Sequence, residues 1–177
     1  MMADGVEIDI IPFGGVAENN QVAWPPDRAI IMAVEGFDEA FRHRVLVELQ
    51  HGELLPFCSL SGLALLKLFA WRDRGAASAK DAADLFKILS EYGLIEDERI
   101  YEPPVEGARH DWNPLRMGAF LLGCDIALIL ADESYAELLR LDRERLTDAM
   151  VRQCRTADAD EIGQTMEDFW AGIERFG

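Results

Sequence analysis

With 177 residues, half of them apolar, the chain can form one domain with a sizeable core, or one small domain with an appendage. Its formal charge of −16 sets it against phosphate backbones, and so against nonspecific nucleic-acid binding, unless a local basic patch opposes that field. The longest apolar run, Met117 to Ala131, is broken by Asp125 and is too short to span a bilayer. Cys58, Cys124 and Cys154 are far apart and not grouped with the three His, so they read as reduced, mostly buried thiols rather than a metal site. With no basic and apolar leader at the N-terminus, they point to a cytoplasmic protein.

In chain order, Val6 to Phe13 is β-branched and apolar and reads as a buried strand. Glu7 and Asp9 alternate with Val6, Ile8 and Ile10, so they share one side of it. Two carboxylates so placed either share a divalent cation with a nucleotide's phosphates or are the wet face of an edge strand. Pro12, Gly14 and Gly15 end the strand. Val16 to Arg28 is loop-like, because the Trp24-Pro25-Pro26-Asp27 segment cannot run helically through its prolines. Ala29 to Val34 is a further strand, and Gly36 to Phe41 a loop or short turn. Arg44 to Leu49 and Leu54 to Phe57 form a hairpin turning through Gln50-His51-Gly52-Glu53, which makes His51 an exposed turn residue rather than a base.

From Leu60 to Tyr92 the spacing predicts two helices. Leu63, Leu66 and Ala70 form one apolar stripe; Ala82, Leu85, Ile88, Leu89 and Tyr92 form another. Ser59 or Ser61 is the candidate N-cap and Gly93 the candidate residue just past the C-terminus. Lys67, Trp71 and Arg74 line one edge of the first helix; Lys80 and Asp84 share a face of the second, with Asp81 beside them. Such charges are commonly solvated helix ion pairs. Lys67 is different, because it sits inside the apolar run LALLKLFAW and must snorkel outward or meet an anion.

Ile95 to Tyr101 reads as a short helix, and Pro103-Pro104-Val105-Glu106-Gly107 as a break. Asn113 or Asp111 caps a central packing helix from Pro114 to Leu130, whose Asp125 sits at a lip or pairs with an arginine such as Arg116. Ser134 opens a helix to Leu141 with Glu137 completing a capping box. Asp142 to Cys154 forms the next, and Ala159 to Phe176 the last, with Ile162, Met166, Phe169, Trp170 and Ile173 turned to a core or a dimer contact. The fold class is α+β: a small mixed sheet of N-terminal strands packed with helices, then a mostly helical C-terminal part.

A lysine, then an arginine, then KDxxDL is carried here by Lys67, Arg72 or Arg74, and Lys80, Asp81, Asp84 and Leu85. With the upstream GVEIDIIPFGG, it resembles the bacterial nucleotidyltransferases of the AbiEii toxin type, in the DNA polymerase β-like superfamily. The resemblance covers roughly the first half of the chain. It implies residues 1–93 as an incomplete nucleotidyltransferase region and 94–177 as a helical region. It implies a nucleoside triphosphate and Mg²⁺ as ligands. Asp9 would be the catalytic and metal-binding carboxylate, with Glu7 beside it. Lys67, Arg72, Arg74, Lys80, Asp81 and Asp84 would hold the nucleotide; Trp24 and Trp71 are the candidates to stack its base, although a core role suits Trp71 better. The superfamily's Gly-Ser turn and Asp-x-Asp strand should precede Asp9, yet only eight residues do. The chain is therefore expected to be inactive or weakly active alone. It would be the product of an internal start, a degenerate binding form, or a chain completed by a partner. The alternative is a non-catalytic, acidic helical module for a partner protein or a second copy. A missing half-sheet predicts an exposed strand edge.

Overall fold

The computed structural model describes residues 2–3, 6–7, 10–24, 28–154 and 158–176. It is an α+β fold with a mostly helical C-terminal part. The strands form three separate antiparallel pairs: β1 (Met2–Ala3) with β2 (Val6–Glu7), β3 (Gln21–Trp24) with β4 (Ile30–Ala33), and β5 (Val45–Glu48) with β6 (Leu54–Phe57). The described residues include seven α-helices: α1 (Phe37–Arg42), between β4 and β5, and then α2 (Leu60–Arg74), α3 (Lys80–Ile95), α4 (Pro114–Ile129), α5 (Asp132–Leu139), α6 (Arg143–Gln153) and α7 (Ala159–Glu174).

Several expectations about the N-terminal third need correction. The strand placed at Val6 to Phe13 is limited, in the described residues, to Val6–Glu7, and Gly14–Val16 is a 3₁₀ turn. Gln21–Trp24, read as loop, pairs with Ile30–Ala33, because its partner strand supplies hydrogen bonds that local pattern does not reveal. Gly36 to Phe41, read as a turn, becomes α1; Gly36 adopts φ +81° at its start, and Asp38 and Glu39 complement its N-terminus. The β5–β6 hairpin is as expected, with His51 exposed in its turn at φ +74°. Of the thiols, Cys124 is buried, Cys154 half-buried and Cys58 exposed.

In the helical part, Ser59 caps α2 by accepting a hydrogen bond from the Gly62 N–H at 3.1 Å. The stripe read at Leu63, Leu66 and Ala70 is not the core face. Leu63 is exposed, and Leu65, Leu68 and Phe69 are the buried residues, so the true stripe is rotated by about one residue in a run that is apolar almost all round. On α3, Ala82, Leu85, Leu89 and Tyr92 are buried as expected. Gly93 does not end that helix. It lies inside α3, where its backbone touches Gly118 of α4, and a methyl at Gly118 would meet Gly93 N and Cα at 2.5 and 2.6 Å. Ile95 belongs to α3, so the short helix read at Ile95 to Tyr101 is only a 3₁₀ turn at Arg99–Tyr101.

Asn113 caps α4, its side-chain oxygen accepting from Leu115 N at 2.9 Å, and Pro114 takes the first turn, where its missing N–H costs nothing. Asn113→Ala is expected to lower stability by about 1 kcal/mol in urea denaturation. Ser134 opens no helix. It lies within α5, buried, and donates its hydroxyl to Glu39 of α1 instead of taking part in a capping box with Glu137. Asp142 caps α6 and Asp158 caps α7. One apolar core joins both halves of the chain, from Leu65, Leu68 and Leu85 to Met117, Leu122 and Phe169. The helices from either side of residue 93 thus fold around common residues, and α4 is its centre. Among the described residues no helix is long and apolar enough to cross a membrane.

Candidate functional site

The loop between α2 and α3 reverses the chain, so the last turns of α2 lie beside the first turn of α3. That brings Lys67 and Arg74 to Asp81 and Asp84. Lys67 Nζ is 3.2 Å from Asp81 Oδ1 and 2.6 Å from Asp84 Oδ2. Arg74 binds the other side of Asp81 with two donors, Nε to Oδ2 at 2.6 Å and NH2 to Oδ1 at 2.9 Å. Asp81 is only 1% exposed, Lys67 22% and Arg74 61%. The lysine of the apolar run therefore meets an anion, and the anion comes from the neighbouring helix.

Electrostatics follow from that geometry. The Arg74 hydrogen bonds hold the Asp81 carboxyl below its ordinary value; burial opposes this, and the Lys67 hydrogen bond adds to it. Burial pulls the Lys67 ammonium down, but its hydrogen bonds to Asp84 and Asp81 outweigh that and keep it above its ordinary value. Arg72 turns the other way, to Glu35 and to Asp73 at 2.9 Å. Lys80 is exposed at the start of α3 and makes no side-chain ion pair among the described residues. Lys67, Arg72 and Arg74 are thus matched by Glu35, Asp73, Asp81 and Asp84, with Glu137 also 3.9 Å from Arg72, while Lys80 stands outside the network. Carboxylates outnumber cations in it, so the cluster is not a basic patch.

Lys67 and Arg74 line a cleft of about 340 Å³ together with the carboxylates Glu35, Asp73 and Asp81, and Ile31, Phe37 and Phe69 give it an apolar side. A larger cleft, about 580 Å³, opens between α1 and α5. Its charged lining is Asp38, Glu39 and Glu133 against Arg42, which makes it a poor seat for phosphate. Trp71 is buried in the core with Arg145 over its ring, so it is not placed to stack a base. Trp24 is half-buried in β3.

Asp9 lies outside the described residues, and of Glu7 only the backbone, in β2, is described. Among the described residues no group of three or more His, Cys, Asp or Glu side chains gathers as a metal site.

Two further polar clusters escaped the sequence. Asp125 does not pair with Arg116. It takes two hydrogen bonds from Arg99, at 3.0 and 2.7 Å, and the Tyr92 hydroxyl donates to it. Burial first, and that hydrogen bond second, push the Tyr92 phenol far above its ordinary value. Arg116 instead binds Asp168 at 2.6 Å and Asp111 at 2.5 Å. Both sets tie α4 to its neighbours, Asp125 to α3 and Arg116 to α7. Comparison with known families, with curated proteins and with solved structures found nothing that matches this chain.

Proposed function

We propose that the chain is a nucleotidyltransferase-like protein that takes a nucleoside triphosphate with Mg²⁺ in the cleft beside Lys67 and Arg74, and that is inactive or weakly active by itself. One observation carries this reading: two cations with donors to spare stand on the wall of a cleft that also has an apolar side, although Glu35 and Asp73 line it as well. An ammonium has three N–H donors and Lys67 uses two; a guanidinium has five and Arg74 uses two. The remaining donors can reach phosphate oxygens while Asp81 keeps both side chains in place. The apolar side offers a base a contact surface in Ile31, which is 64% exposed, beside Phe37 and Phe69.

Because carboxylates outnumber cations in that network, it does not draw in phosphate by net charge, and Mg²⁺ matters by offsetting part of the triphosphate's charge. By the resemblance, Asp9 would hold that ion, with Glu7 beside it. Hard carboxylate oxygens suit Mg²⁺, but a pair fills only part of its octahedral shell, which the phosphates and water complete. In a complete family member the ion neutralises developing charge during nucleotidyl transfer to an acceptor hydroxyl. With two carboxylates this chain supports binding better than turnover.

Calorimetric titration of each of the four Mg²⁺–nucleoside triphosphates tests this. Binding is expected to need Mg²⁺ and to weaken at least about tenfold, equivalent to ~1.4 kcal/mol, in Lys67→Ala. Asp9→Ala should lower it as well. Lys87→Ala is the control, since Lys87 is exposed and, among the described residues, pairs only with Glu91, at 3.4 Å. Equal effects of the Lys67 and Lys87 changes would remove Lys67 from the site. A second reading, an acidic helical module that binds protein and no nucleotide, draws on the β5–β6 hairpin, which is exposed along its whole length and apolar but for Glu48. Absence of any nucleotide binding would favour it.

A further inference from the structure

An isolated two-stranded hairpin is marginal in water, and this one leaves every residue of both strands exposed, Leu46 by 64% and Leu54 by 56%. Among the described residues β5 pairs only with β6. The pairing decides which backbone groups face outward. The Leu49 N–H donates to the Glu53 carbonyl at 2.7 Å, in the register that sets Val47 opposite Leu55 and Val45 opposite Phe57. Hydrogen-bonded and non-bonded pairs alternate along antiparallel strands, so Val47–Leu55 and Val45–Phe57 are bonded. Leu46 and Glu48 therefore aim their N–H and C=O groups away from β6. On the opposite edge Leu54 and Pro56 do the same, but Pro56 has no N–H to offer. That proline blunts the outer edge of β6 and leaves the outer edge of β5 open.

We propose that a second copy of this chain adds to that edge, antiparallel along β5 about a two-fold axis at Leu46, so that the two hairpins form one four-stranded sheet. A symmetric dimer must present the same surface twice, and the charges on β5 suit that. With the axis at Leu46, Arg44 stands opposite Glu48 of the second copy and Glu48 opposite its Arg44; Val45 and Val47 stand opposite each other in the same way. Opposite charges directly across a strand pair stabilise it, and like charges destabilise it. Moving the axis to Val47 would put Glu48 against Leu46 and lose both ion pairs. Arg44 is exposed just before β5. Its NH1 donates to the Phe41 carbonyl at 2.8 Å and its guanidinium lies 4.4 Å from the Phe41 ring centroid, which fixes its stem and leaves donors for a carboxylate. The net charge of each copy opposes association at long range. At an ionic strength of about 0.15 M the screening length of about 8 Å suppresses that repulsion more than it weakens the contact pairs.

Sedimentation equilibrium of the full chain over a wide concentration range, at that ionic strength, is the test. The wild type is expected to show a reversible monomer–dimer equilibrium. Arg44→Glu and Glu48→Arg each place like charges across the axis twice and should weaken it at least about tenfold. The double variant, Arg44→Glu with Glu48→Arg, should bring it back to near the wild-type constant. Leu46→Pro should give a monomer with the hairpin kept, since it removes an outward N–H that β6 does not use. Arg44 and Glu48 are exposed, so circular dichroism should be unchanged in the charge variants. A wild type that stays monomeric at every concentration overturns the proposal and leaves the β5 edge to a strand of another protein. A dimer indifferent to the single changes, or not restored by the double one, overturns it as well.

Discussion

Asp81→Ala is expected to lower the stability of the chain by about 2 kcal/mol in urea denaturation. The figure lies between two limits. Removing one partner of a fully buried ion pair costs roughly 3–5 kcal/mol, because the other charge is stranded. Exposed pairs contribute about 0–1 kcal/mol. Asp81 is buried and accepts three hydrogen bonds, but its partners are not stranded by its loss: Lys67 keeps Asp84 at 2.6 Å, and Arg74 is 61% exposed. What the alanine removes is the one anion that both α2 cations share with α3.

Asp81→Asn adds a pH signature to the same interaction. Arg74 and Lys67 hold the folded-state carboxyl below its ordinary 3.8, so the group binds protons more readily in the unfolded chain. A depressed folded value contributes stability that is complete above the unfolded value and is lost as pH falls through the folded one. The stability gap between wild type and Asp81→Asn should therefore be flat above about pH 5 and close as the pH drops below about 4. A gap that stays constant through that range would mean that the ion network does not hold Asp81.

How much of this was legible in the sequence varied with the distance over which residues act. Lys67 stood out because a charge in an apolar run demands a partner, and the demand was real. Its partners, fourteen and seventeen residues away on the next helix, were visible only as a local face with Lys80. That Lys80 stands apart while Lys67 and Arg74 converge on Asp81 depends on how two helices cross, which periodicity does not encode. The core stripes of α3 and α7 were legible because polar residues interrupt them. The stripe of α2 was misplaced because LALLKLFAW is apolar on nearly every side, so only packing decides which face is inside. Asp125 was read as lying at a lip or pairing with an arginine such as Arg116; its partner is an arginine, but Arg99, and Arg116 goes to Asp168 instead, because each partner comes from a separate element. Gly93 was read as a stop signal, although it is a contact point.

That last misreading bears on the largest effect expected in this fold. Gly172→Ala should destabilise the chain by about 3 kcal/mol or more, the upper end for overpacking, while Gly163→Ala in the same helix should stabilise it by about 1 kcal/mol. The substitutions are chemically identical, and both gain the intrinsic helix preference of alanine over glycine. A methyl at Gly163 meets nothing within 4 Å. A methyl at Gly172 would drive into the Phe120 carbonyl oxygen of α4 and lie 3.0 Å from Cys124 N; the reciprocal methyl at Gly123 would strike the Phe169 carbonyl oxygen of α7. These obstacles are backbone atoms, which cannot swing aside as a side chain would. The helices must separate, and the buried contacts of Phe169, Ile173 and Leu121 loosen with them. Gly93 and Gly118 make the equivalent approach between α3 and α4, so α7, α4 and α3 are stacked through glycines up to the helix that carries Asp81 and Asp84. Thermal or urea unfolding of the two α7 variants decides the matter. Opposite signs mean that backbone approach sets the packing of the helical half, whereas equal effects mean that α4 and α7 can slide apart at little cost and that the glycines are there for some other reason.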